Sequence, residues 1–167
     1  LSNKQIRKLY GIAKDSQAID FNHFVPEDVN PGKEVIHYGL NSLFAPRTFK
    51  LFQKRFCRPA DGSKRLFGYN HGTTMGWIGP GFFVTKETSG NGDWEARGKV
   101  VIDYFEVPDG EVVEGWPKIV PNSKGLQFFV YHKTRDFMRK VSHHVSIGEA
   151  YKKEKSMGVN FILCRGE

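Results

Sequence analysis

Two periodicities divide the chain. Over residues 2–16, Ile6, Leu9, Tyr10 and Ala13 recur at i, i+3, i+4 and i+7, an apolar stripe along one side of a helix. Ser2 stands where an N-cap belongs, and Gln5 follows at the spacing that lets two residues satisfy each other's orphan backbone donors. Pro26, Pro31 and Gly32 mark a loop, and from residue 34 onward the period shortens towards two. "EVIHYGLN" reads as a short strand. In "APRTFKLFQKRFCR", Pro46 and Thr48 open a helical turn that passes into a strand, and "PADGSK" turns that strand back into "RLFGYNHG". "GWIGPGFFVTKET" is apolar but punctuated by glycine and proline, so it bends or carries a bulge. "SGNGD" and "PDGE" are turns around the alternating "WEARGKVVIDYFEV"; "LQFFVYHK", "FMRKVSHHVSIGEAYKK" and "VNFILCR" read as further strands.

Short turns, no linker and no internal repeat predict a single domain over 1–167, with an N-terminal helix at 2–16 and a β-rich body over 34–167. The expected fold is mainly β: an antiparallel β-barrel or strongly curved sheet, with the helix plugging or flanking it. An α+β half-barrel wrapped around a helix is the alternative.

Side chains alternate between the two faces of a strand, so parity predicts which of them face inward. In residues 137–153 the odd positions Val141, Val145 and Ile147 are apolar, which sends His143 and Arg139 inward with them and His144 outward. A metal shared by the two adjacent histidines is not expected on that geometry. The same test turns Leu126, Phe128, Val130 and His132 inward, as well as Val100, Ile102 and Tyr104, and groups Phe67, Tyr69 and His71 on one side of their strand. An inward guanidinium requires an anion, which for Arg139 is Asp136, Asp103 or a ligand carboxylate. The other reading of an inward histidine is a core residue hydrogen-bonded to a neighbour.

Composition adds weight to an aromatic interior: 14 Phe, 3 Trp and 6 Tyr are many for 167 residues. The net charge of +7 is unevenly spread. Seven basic residues (Arg47, Lys50, Lys54, Arg55, Arg58, Lys64, Arg65) face only Asp61 between 47 and 65, whereas the 87–115 stretch is acidic. Such alternation suits two faces of differing sign, and it argues against a general polyanion or nucleic-acid binder. Cys57 and Cys164 lack metal-ligand spacing and read as reduced thiols of a cytoplasmic protein. No apolar run is long enough for a membrane-spanning helix. The chain begins at Leu1, so targeting information could lie upstream.

The motifs that would declare a nucleotide, metal or nucleophilic site are missing from the sequence, and no cofactor is called for. The glycine-dense "GYNHGTTMGWIGPG" lacks the lysine and the following helix of a phosphate loop; Asn70 and His71 stand before its flexible part, at a strand end where a barrel gates its ligand. A helix followed by a strand meander resembles the lipocalin-like (calycin) barrels, and Gly92–Trp94 has the Gly-x-Trp form those barrels carry. They carry it in their first strand, whereas here it lies past mid-chain, so the resemblance implies an architecture and an apolar cavity and transfers no functional residue.

The expectation is therefore a barrel that binds a small apolar molecule with an anionic or polar end, oriented by Arg139, His143, His132 and Tyr104, with Phe128, Tyr69, His71 and Trp77 around it. The alternative is a cofactor-free enzyme performing isomerase- or lyase-type acid–base chemistry, with His143, His132 or Tyr104 carrying the proton. A second alternative is an anionic or nucleic-acid partner held by the basic 47–65 stretch.

Overall fold

The computed structural model describes residues 1–16 and 18–166; Gln17, and Glu167 at the end of the expected β-rich body, lie outside the described residues. The described residues form eight strands: β1 (Val35–Asn41), β2 (Leu51–Cys57), β3 (Leu66–Gly72), β4 (Phe82–Glu87), β5 (Val100–Asp103), β6 (Thr134–Lys140), β7 (Val145–Lys152) and β8 (Lys155–Arg165). Each pairs antiparallel with the next, and β1 pairs with β8 to close the barrel. Closure leaves no free sheet edge to template pairing with another chain. The expected antiparallel barrel with an N-terminal helix is the observed fold.

Helix α1 (Asn3–Ile12) starts at the Ser2–Gln5 capping box, with Ser2 N donating to Gln5 Oε1 at 2.7 Å and Gln5 N to Ser2 Oγ at 3.3 Å. It continues as a short 3₁₀ turn over Ala13–Asp15. Its stripe of Ile6, Leu9, Tyr10 and Ala13 packs on the outside of the barrel, against Ile147, Leu40 and Val141. Four-residue helical turns sit in the connections: α2 (Phe21–Phe24), α3 (Arg47–Lys50), α4 (Met75–Ile78) and α6 (Gln127–Val130). The longer α5 (Gly92–Arg97) is capped by Asn91 Oδ1, which accepts from Trp94 N at 3.2 Å. The Gly92–Trp94 stretch thus lies in a helix outside the barrel wall and not in a strand.

Inside the barrel, large and small residues alternate across neighbouring strands. Gly39 is the cross-strand partner of Phe52, Gly68 of Phe83 and Gly148 of Phe161. Each phenylalanine ring lies over its glycine, and a Cβ there would sit 2.3–2.5 Å from the ring. A small barrel has too little interior for a full ring from every strand, and these pairs fit the rings to the space. At one end, α2 closes the barrel: Phe24 and Val25 enter the core with Phe56 and Phe83. Arg165 holds α2 through the carbonyls of Asn22 (3.3 Å) and His23 (2.6 Å), and Arg58 reaches the Val25 carbonyl at 2.7 Å. The other end stays open.

The wall carries a second apolar layer on its outside. Cys57, Phe67 and Val84 point away from the interior and are covered by Val112, Val113 and Trp116 of the long β5–β6 connection. This outer layer overturns the parity assignment for residues 137–153. The apolar odd positions are real, but Ile147 points outward beneath α1. The stretch is also two strands, because Val141 N and Ser142 N both bond to the Val145 carbonyl (2.9 and 3.0 Å) and turn the chain there. "LQFFVYHK" is the helical turn α6 and its C-terminal flank, so alternate positions in it do not share a face.

Candidate functional site in the barrel mouth

The open end leads into a cavity of about 370 Å³. Its walls are mainly apolar: Leu51, Phe52, Met75, Ile78, Val130, Tyr131, Ala150, Val159 and Phe161. Its floor is polar. Lys54, Asn70, Tyr104 and Asp136 come from β2, β3, the end of β5 and β6, and all four are buried. Lys54 is the register partner of Asn70, and parity turns both inward.

The four side chains form one hydrogen-bonded cluster. The Lys54 ammonium donates to Asn70 Oδ1 (2.9 Å), to Asp136 Oδ2 (3.0 Å) and to the Tyr104 hydroxyl. The Tyr104 hydroxyl donates to Asp136 Oδ2 at 3.2 Å and accepts from Asn70 Nδ2 at 2.9 Å. Asn70 Nδ2 also donates to the Gly81 carbonyl, which ties the cluster to the β3–β4 turn. All three ammonium protons are thereby engaged, and the rings of Phe52, Phe83, Tyr104 and Phe161 surround the nitrogen at 5.0–5.7 Å. Negative ring faces and a carboxylate together make a buried cation tolerable here.

Burial pulls Lys54 below the ordinary lysine range, with Asp136 opposing that shift. Burial, and then the Asp136 charge, holds the Tyr104 phenol well above its usual value. Tyr131, stacked on Tyr104 at 5.3 Å, is pushed up to about 12 by the same two causes. The phenols therefore stay neutral donors at physiological pH. The Lys54 ammonium and the Asp136 carboxylate, 3.0 Å apart, compensate each other's charge. The donors of this floor are spent on one another, so a guest meets a charge-compensated polar surface.

Of the residues expected to line the cavity, Tyr104 does so at its floor and His71 does so near its rim. Arg139 does not. It lies outside the barrel, 3.8 Å above the Tyr10 ring, and donates to the carbonyls of Tyr10 (2.7 Å), Arg97 (2.9 Å) and Ala96 (3.3 Å). There it satisfies orphan carbonyls at the ends of α1 and α5, where a cation is favoured, and it needs no carboxylate. His143 and His144 are exposed in the β6–β7 turn, and both are on the same side: their rings are 4.5 Å apart, with Nδ1 of one 3.1 Å from Nε2 of the other. His132 is half-buried and stacks on the exposed Phe128 at 4.8 Å, and neither borders the cavity. Tyr69 faces outward under Trp116, and Trp77 stands on α4 with 86% of its surface exposed.

Sequence reasoning missed Lys54 and Asp136 as cavity residues, and it set Asn70 at the gate where the structure sets it on the floor. One signal was available: "FQKRF" sets Lys54 on the same parity as Phe52 and Phe56, so a strand turning those two rings inward must turn the lysine inward too. Counting charges along 47–65 hid it. The structure scatters that basic run, with Lys54 inside, Arg55 on Glu34, Arg58 on backbone carbonyls and Arg65 on Asp61 and Asp109. Cys57 is buried in the outer layer, its thiol pushed up to about 12 by burial, and Cys164 is exposed; both are free. Among the described residues, no cluster of His, Cys, Asp and Glu could hold a metal ion, and no helix is long and apolar enough to cross a membrane.

Comparison with known proteins adds no name: no family model, no curated protein and no solved structure matches the chain.

Proposed function

We propose that the barrel binds a small, predominantly apolar molecule in its open end, with a neutral hydrogen-bonding group set against Tyr104, Asn70 and the Lys54–Asp136 pair. One observation carries this reading: an aromatic and aliphatic cavity of about 370 Å³ converges on a single buried polar cluster. Apolar walls with a few placed polar groups are the general design of small-molecule sites. The balanced charge of the floor refines the expectation of an anionic or polar end. A carboxylate would approach Asp136 while losing its hydration, whereas an alcohol loses less and can donate its proton to the Asp136 carboxylate. Of the acid–base alternative's three proton carriers, His132 and His143 lie away from the cavity, and only Tyr104 lines it.

The test is binding of the neutral dye Nile red, displaced by decanol or by decanoate. Saturable dye binding is expected, with decanol competing at least about tenfold more strongly than decanoate, since an unpaired buried charge costs more than 1.4 kcal/mol. Ala150→Trp, which fills the cavity wall, should abolish binding, and Arg139→Leu should leave it unchanged. Absence of saturable binding, or retention of it in a folded Ala150→Trp variant, removes the proposal.

A further inference from the structure

Most of the large exposed apolar side chains among the described residues lie around the mouth. The outer wall has α1 over one side and the Val112–Trp116 segment over another, and α2 closes the far end. The connections at the open end, by contrast, hold their apolar side chains out. Leu43, Phe44 and Phe49 come from the β1–β2 connection, Trp77 from α4, Leu126, Phe128 and Phe129 from α6 and its approach, and Met157 from the start of β8. Phe44 is fully exposed, Trp77 86% and Phe129 72%. Leu43, Phe49 and Met157 line the cavity rim itself, and Met75 and Ile78 flank Trp77 on it, which places these loops around one opening. Four separate connections thus expose apolar side chains at one end of the barrel. An exposed patch of that kind on an otherwise well-covered barrel marks a contact surface.

The charges around the rim decide what it fits. Arg47, Lys50, Lys124, Lys133, Lys152, Lys153 and Lys155 belong to the same connections and adjoining strand ends. None of the seven forms an ion pair among the described residues, whereas Arg55, Arg65, Lys86, Arg97 and Arg135 on the walls each do. The carboxylates beside these connections are engaged: Glu154 with Arg97 and Arg135, Glu149 with the hydroxyls of Tyr151 and Ser156. A second copy of the chain meeting this face symmetrically would set cations against cations.

We propose that the open end docks on an anionic lipid surface, with Phe44, Trp77 and Phe129 entering the headgroup–acyl boundary and the rim lysines and Arg47 facing lipid phosphates and carboxylates. Aromatic rings favour that boundary, and each basic residue near an anionic leaflet adds about fivefold to binding. Docked this way, the cavity opens directly onto the acyl region. The inference does not depend on what occupies the cavity.

The experiment is co-sedimentation of the whole protein with phosphatidylcholine vesicles, with and without one-third phosphatidylserine, followed also by tryptophan emission. Binding to the anionic vesicles is expected to exceed binding to neutral ones by at least about tenfold, to fall with added salt, and to shift the emission to the blue. The shift should vanish in Trp77→Phe. Binding should be lost in the triple variant Phe44→Ser, Trp77→Ser, Phe129→Ser and weakened by Lys153→Glu with Lys155→Glu. Ile12→Ser, an exposed apolar position at the last turn of α1, should bind normally. All these are surface changes, and an unaltered unfolding midpoint confirms the fold. Failure to sediment with anionic vesicles, or undiminished binding of the triple variant, overturns the proposal. So does a protein that self-associates through this face, becoming monomeric in the triple variant without binding vesicles.

Discussion

Lys54 shows how a residue's neighbours decide its meaning. In the chain it is one of seven cations in a basic run; in the barrel it is an ammonium with every proton bonded, enclosed by four rings and a carboxylate. Losing one partner of such a pair leaves a buried uncompensated charge, whereas losing both restores a neutral interior. Lys54→Met and Asp136→Leu should therefore each destabilise the fold by about 3–5 kcal/mol, and the double variant should recover most of that loss. Urea unfolding of the four proteins measures the coupling; additive losses in the double variant would mean that the two groups stand independently. Tyr104 was legible as an inward residue because Val100, Ile102 and Tyr104 share one parity in a strand whose other face carries Asp103. Arg139 was not, because a guanidinium on an apolar face has two ways to be satisfied. The sequence suggested an anion, and the structure supplies backbone carbonyls from two helix ends.

At the scale of elements, the N-terminal helix was fully legible, since its stripe and its capping box are both local patterns. Residues 127–130 and 141–144 were not. Both are rich in residues that alternate or branch, and their conformation is set by contacts elsewhere: Gln127 Oε1 accepts from Gly81 N at 2.9 Å and pins α6 to the β3–β4 turn. The inward glycines are the clearest element-level device. Each lets a neighbouring strand's ring lie flat against backbone, and aromatic cover of this kind protects a glycine in a sheet. Gly68→Ala would bring a methyl group within 2.5 Å of the Phe83 ring and of the Arg55 carbonyl. A destabilisation of about 1–3 kcal/mol is expected from that overpacking. Gly76→Ala, where nothing lies within 4 Å, should be close to neutral. Thermal unfolding of the pair separates a packing effect from a general cost of replacing glycine.

The whole molecule has two unlike ends. The closed end is buried and contains His23 and His37 beside Phe24 and Phe56. His37 Nε2 donates to the Phe24 carbonyl at 2.9 Å, which leaves Nδ1 as an unprotonated and unpartnered nitrogen among the described residues. Burial pushes His37 down to about 4; burial, with the neighbouring His37 next, pushes His23 down to about 3. The unfolded chain takes up protons on both rings near pH 6.5, well before the folded one does. Their contribution to stability is thus complete above that value and is lost as the pH falls towards the folded values. Between about pH 7 and pH 5 the loss is about 2 kcal/mol for each ring. Urea unfolding across that range should show it, and His37→Gln should flatten its share; a profile with no slope there would contradict the burial of neutral imidazoles. The open end faces solvent, and its exposed rings, with cations that form no ion pair among the described residues, contrast with the covered walls below. By itself the sequence determined the helix, the strand-rich meander and the aromatic interior, because helical and strand periodicities and turn residues act within a few positions of the chain. Which face of each strand became the inside was decided only by the tertiary structure. Closing the barrel and laying α1 and the β5–β6 connection over its wall gives several strands two apolar faces, and alternation alone cannot rank them.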